Sequence, residues 1–125
     1  VTQTIDYLNT RVQFGVALST FQALRHQLVE MYVAYENTYG MTRHLVAAHA
    51  AAPQPLKDVL TAKLYMNKVS RKVGETAIQL HGGMGMTTET QASRLAVRAI
   101  TGAFDYGDSA QCLDWLTART LAEAA

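Results

Sequence analysis

One cysteine, Cys112, excludes an intrachain disulfide framework and a cysteine-rich zinc site, and reads most simply as a small buried hydrophobe. Net charge is nearly absent too. Eleven Lys and Arg stand against ten Asp and Glu, giving +1, and basic and aromatic residues are not interleaved in a stripe, so neither nucleic acid nor an acidic surface is expected as a partner. No apolar run reaches the length of a membrane span, and no signal peptide is visible. A soluble cytoplasmic protein is the default expectation. The chain also lacks paired Glu-x-x-His on helices, the pattern of a di-iron bundle. Glu30, Glu36, Glu75 and Glu89 are followed at the third position by Val33, Tyr39, Ile78 and Ala92, so no metal site is expected. No stretch alternates with period two long enough to make a strand, and there is no repeat or low-complexity tract.

What remains is helical periodicity. Half of the 125 residues are apolar, enough for one modest core. Val1, Ile5 and Leu8 begin a helix that is expected to run to about Phe14 and stop at Gly15, with Ser19-Thr20 capping the next. That second helix, about Phe21 to His49, carries a stripe of Phe21, Leu24, Leu28, Met31, Tyr35 and Leu45, with Gly40 as a point of close packing or bending. Ala50 to Pro55 breaks the pattern. A third helix, about Pro55 to His81, turns Leu56, Leu60, Leu64, Val69, Val73, Ala77 and Leu80 inward. A fourth runs from Thr88 to Phe104, and Asp108 or Ser109 caps a fifth bearing Leu113, Trp115 and Leu116. The expected fold is all-α, an antiparallel bundle of four or five helices in a single domain over residues 1–125. The absence of an initiator Met and of a cap before Val1 leads us to expect the C-terminal part of a longer chain.

The organising stretch is Gln79-Leu-His-Gly-Gly-Met-Gly85, with Met86-Thr-Thr-Glu89 after it. Gly82-Gly83 ends the third helix, Thr87 or Thr88 offers a cap oxygen for the next, and Glu89 adds negative charge to its first turn. A bare backbone between two helix ends suits an anionic or flat ligand. Gly83-Met-Gly85 is not a nucleotide fingerprint, because it follows a helix and no third Gly arrives at the required offset.

Two separated segments together carry a resemblance. Thr10-Arg-Val-Gln-Phe-Gly15 followed by Phe21-Gln22, and later Gln79 to Gly85, are similar to the Arg-x-x-Phe-Gly and Gln-x-x-Gly-Gly-x-Gly segments of the acyl-CoA dehydrogenase family. The chain resembles the C-terminal helical domain of that family over essentially its whole length. The resemblance implies FAD as cofactor, an acyl-CoA substrate, a further electron acceptor, and a homo- or hetero-oligomer formed through the bundle. It implies that Arg11 meets the FAD pyrophosphate of a neighbouring subunit, that Phe14 and Gln22 lie near the adenine end, and that Gln79, Gly82 and Gly83 touch the same cofactor. It also exposes a departure. Where many relatives carry a Tyr-Glu-Gly-Thr turn whose Glu removes the α-proton, this chain reads Asp105-Tyr-Gly-Asp108. Tyr106 replaces the Glu, and a phenol with a pKa of about 10 is a poor base at neutral pH. No residue of this chain is therefore assigned as catalytic. The base is expected before Val1 or on a partner chain, and the isolated fragment is expected to be inactive. Asp108 would crowd the flavin unless it caps the fifth helix. The alternative is a non-catalytic structural or oligomerisation bundle.

Overall fold

The computed structural model describes residues 1–53 and 55–124, with side-chain surroundings given as far as Leu121 and Ala122. Five helices dominate: α1 Thr2–Thr10, α2 Gln22–Ala51, α3 Leu56–His81, α4 Gln91–Thr101 and α5 Ser109–Ala124. Helix α3 is the hub, packed against all four others. Its buried residues Leu60, Ala62, Val69, Ala77 and Leu80 make up the core together with the buried Leu8 of α1, Met31 of α2, Ala96 of α4 and Cys112 of α5. The all-α bundle is thus as expected, and α3 is helical throughout. Close approach is possible where side chains are small: a Cβ on Gly74 would lie 3.1 Å from Ile100 and 3.2 Å from the Ala96 carbonyl oxygen.

Several boundaries differ from the sequence reading. Helix α1 stops at Thr10 and does not continue to Phe14. A two-residue hairpin follows, β1 Val12–Gln13 against β2 Val16–Ala17, antiparallel, with Val12 opposite Ala17 and Gln13 opposite Val16. Its turn residues Phe14 and Gly15 both have positive φ, as a tight type I′ hairpin requires. Strands this short leave no period to read. Thr20 lies in a short 3-10 turn and donates its hydroxyl to the Ala17 carbonyl, so Phe21 begins α2 with no side-chain cap.

Helix α2 runs unbroken through Gly40, where a side chain would meet open space; no close packing exists there. Tyr35 and Phe21 fall off the buried stripe and are exposed, as is Leu56 at the start of α3. Helix α4 begins three residues later than expected. Thr90 caps it, accepting the Ser93 N–H at 3.2 Å, while Thr87 donates back to the Met84 carbonyl. Glu89 precedes that cap and adds no charge to the first turn. At α5 the expectation is met by Asp108. Its carboxylate accepts the Gln111 N–H at 2.8 Å, and the Gln111 side chain accepts the Asp108 N–H at 3.3 Å, a reciprocal cap.

Large apolar side chains remain outside. On α2 these include Val29, Tyr32, Val33, Tyr39 and Val46, with Tyr35 and Tyr39 stacked and the Arg43 guanidinium over Tyr39; on α5, Leu113, Trp115 and Leu121. Among the described residues no helix is long and apolar enough to cross a membrane.

Candidate functional site

The first part of the site grows from the end of α1. Arg11 leaves the helix in an extended conformation, its N–H still bonded to the Tyr7 carbonyl at 2.8 Å. Its own carbonyl accepts the Leu18 N–H at 2.9 Å, which closes the hairpin. The Arg11 side chain is exposed and has no ion pair among the described residues. Phe14 sits at the hairpin tip, 90% exposed, with φ +55. Its ring meets Phe21 edge-on, centroids 6.1 Å apart. Gln22 follows Phe21 as the first, exposed residue of α2. The hairpin thus folds the chain back so that Arg11 is bonded to Leu18 and Phe14 meets Phe21, the residue before Gln22.

The second part is the corner after α3. Gln79 is exposed on the last turn, and its carbonyl accepts the Gly82 N–H. Gly82 has φ +58, which an L side chain adopts only with strain, and it redirects the chain into a 3-10 turn over Gly82–Met86. Nothing lies within 4 Å of where a Cβ would stand on Gly82 or Gly83, so their backbone faces open space. Gly85 is the opposite case. A Cβ there would lie 2.2 Å from the Ile78 carbonyl oxygen, so the turn is seated directly on α3.

The two parts touch through residues that the sequence reading did not single out. The Tyr7 hydroxyl donates to the His81 carbonyl at 3.2 Å, and the two rings stack with centroids 4.4 Å apart at 26°. His81 is buried, and its Nδ1–H donates to the Ala77 carbonyl at 2.8 Å. A visible signal was available: Tyr7 lies one helical turn before Arg11, and His81 directly precedes the glycine pair.

A third feature lies at the other end of α4. Tyr106 has φ +58 and is 97% exposed, and Gly107 has φ +103. The phenol borders an open groove of about 1030 Å³ between α3 and α5, lined by Leu56, Val59, Leu60, Met66 and Trp115, with Lys63, Asp105 and Arg119 among its polar groups. No carboxylate occupies the turn tip. Asp108 is engaged as the α5 cap, so its charge is directed into the helix N-terminus. Among the described residues no three His, Cys, Asp or Glu side chains cluster as a metal would need.

Known proteins match this chain in sequence and in fold. The chain is 37% identical over 86 residues to the acyl-CoA dehydrogenase IpdE2 of Mycobacterium tuberculosis, covering 69% of this chain and 26% of the relative. It is 29% identical over 90 residues to the human mitochondrial short-chain specific acyl-CoA dehydrogenase, covering 72% and 22%. Among solved structures, an acyl-CoA dehydrogenase from Geobacillus kaustophilus superposes with a TM-score of 0.86 at 28% identity, over 96% of this chain and 31% of that one. The Tcur3481-Tcur3483 steroid ACAD does so with a TM-score of 0.86 at 27% identity, over 98% and 34%. The chain spans about a quarter of the length of the curated relatives it matches. The family model for the acyl-CoA dehydrogenase C-terminal domain matches residues 1–120, and the chain belongs to the acyl-CoA dehydrogenase family as that C-terminal helical domain.

Proposed function

We propose that this chain is the FAD-contacting and oligomer-forming domain of an acyl-CoA dehydrogenase, and that Arg11, Phe14, Gln22, Gln79, Gly82 and Gly83 form its cofactor surface. The observation that carries the reading is the combination of an exposed Arg11, without an ion pair among the described residues, and an outward Phe14 with a glycine corner whose backbone faces open space. These groups fit a dinucleotide. A guanidinium matches a pyrophosphate in charge and geometry. A presented phenyl ring matches an adenine face, the two Gln amides supply directed hydrogen bonds, and the bare glycines allow close backbone approach. Bound FAD would supply the acceptor for a hydride from the β-carbon of an acyl-CoA. Relatives solved with FAD share the fold at 24% identity, which supports the fold alone.

The α-proton base is assigned outside residues 1–125, on a preceding segment or on a partner chain. Support comes from Tyr106, which presents a phenol where the family turn often presents a carboxylate, and from Asp108, which is used as a cap. The same observation favours a second reading, a base-free subunit of a heteromer, and the two-part name of the steroid ACAD relative agrees with it. The apolar faces of α2 and α5 supply surface for either kind of assembly.

The test is Arg11→Ala in the full-length protein. Losing a charge-assisted hydrogen bond should weaken FAD retention by about 1.5–3 kcal/mol. Flavin absorbance after exhaustive dialysis reads this directly, and unchanged flavin content would sink the assignment.

A further inference from the structure

We propose that Tyr7 and His81, 74 residues apart in the chain, are positioning residues that hold the Arg11–Phe14 hairpin and the Gly82–Gly83 corner in one register, so that the two segments present a single dinucleotide surface. The proposal rests on the FAD reading above and adds to it two residues that need not touch the cofactor. The corner side is pinned at one peptide unit. Between His81 and Gly82 the carbonyl accepts the Tyr7 hydroxyl at 3.2 Å, while the N–H donates to the Gln79 carbonyl. The His81 ring is fixed in turn by the Ala77 carbonyl at 2.8 Å and by the Tyr7 ring stacked at 4.4 Å. The hairpin side starts at the same tyrosine, whose carbonyl holds the Arg11 N–H at 2.8 Å. From there the Arg11 carbonyl holds Leu18 at 2.9 Å and closes the hairpin. A continuous path of short contacts thus runs from Gly82 to Phe14.

A pair that only filled space would not need these polar atoms. Burying a hydroxyl or an imidazole N–H costs free energy unless it is bonded, and Phe or Leu would fill the same volume. Here the Tyr7 hydroxyl is spent on the His81 carbonyl at the end of α3, and the His81 Nδ1–H on the Ala77 carbonyl one turn earlier, which gives the contact direction as well as bulk.

The experiment uses the full-length protein stripped of flavin. FAD is titrated back by fluorescence quenching, and the thermal midpoint of each apoprotein is recorded beside it. Tyr7→Phe, which keeps the stack and loses the hydroxyl, should raise the Kd for FAD about fivefold while the apo midpoint barely moves. His81→Ala should raise it about tenfold or more, and His81→Phe, which restores a ring but not the N–H, should recover only part of that loss. In an Arg11→Ala background the effect of Tyr7→Phe should shrink, because much of it acts through Arg11. If Arg11→Ala weakens FAD binding but Tyr7→Phe and His81→Ala leave it within about twofold, the positioning role is wrong and the FAD reading survives. If Tyr7→Phe costs as much without Arg11 as with it, or lowers the apo midpoint in step with affinity, the pair is merely structural and the proposal fails. If Arg11→Ala itself changes nothing, the FAD reading fails and takes the positioning role with it.

Discussion

At Phe14–Gly15 and again at Tyr106–Gly107, an exposed aromatic residue with positive φ precedes a glycine with positive φ. For an L-residue this conformation costs roughly 1–2 kcal/mol, and neither position has a local side-chain bond that relieves it. The two turns are held in place by different means. Phe14–Gly15 closes a hairpin, with strand pairing on both sides and nothing beneath Gly15 within 4 Å of a Cβ. Tyr106–Gly107 has no ladder. It rests on α5, where a Cβ on Gly107 would lie 3.0 Å from the Trp115 ring and 3.5 Å from the Cys112 sulfur. One strained turn is maintained by backbone pairing and the other by tertiary packing. In both cases the strain lifts a ring into solvent, against the edge of Phe21 in the first turn and beside an apolar groove in the second.

The contrast is most exposed to test at the glycines. Gly107→Ala adds steric conflict with Trp115 to the backbone strain and should destabilise the full-length protein by roughly 2–4 kcal/mol in chemical denaturation. Gly15→Ala carries the strain alone and should cost about 1 kcal/mol. Equal losses would erase the distinction. A smaller effect is expected for chemistry at the second turn. If the base lies outside residues 1–125, as proposed, Tyr106→Phe in the intact, FAD-loaded protein should change turnover less than about tenfold, or 1.4 kcal/mol in barrier. A large loss with folding and flavin content intact would return the catalytic position to Tyr106. The smallest effect concerns the rings themselves. Asn tolerates positive φ, so Tyr106→Asn should stabilise the protein by about 0.5–1 kcal/mol, and Phe14→Asn by less, since it also gives up the edge contact with Phe21. A melting comparison showing both variants destabilised would mean that the strain is relieved by contacts outside residues 1–125.

Long elements were legible in the sequence because they repeat. The inner face of α3 at Leu60, Val69, Ala77 and Leu80 could be read from spacing, and the Asp108 cap from residue type. The hairpin could not, since Val12–Gln13 and Val16–Ala17 are too short to show alternation and the turn lacks Asn-Gly or Asp-Gly. Thr87, Thr88 and Thr90 are equivalent as letters. Only the 3-10 turn through Met86, which uses Thr87 to bond Met84, leaves Thr90 as the cap. Gly40 and Gly74 are equally indistinguishable without a partner helix, yet only Gly74 meets one. Of the candidate site, Arg11, Phe14 and the glycine corner stand in the sequence as short motifs; Tyr7 and His81 each lie beside one of these motifs, but nothing in the sequence pairs them, because they meet only after α3 has folded back against α1.

The seat of Gly85 on the Ile78 carbonyl bears on how this corner can diversify. With 2.2 Å between a hypothetical Cβ and that oxygen, no substitution at position 85 can be accepted without unseating the turn. His81 is enclosed as well, so a change there disturbs the join to α1. Met84 and Met86, both exposed, are the turn's side chains with room to vary. Adaptation of the loop to a new neighbour is therefore channelled into these two positions and Gly83, while Gly82, by its positive φ, and Gly85, by its seat, stay closed to substitution.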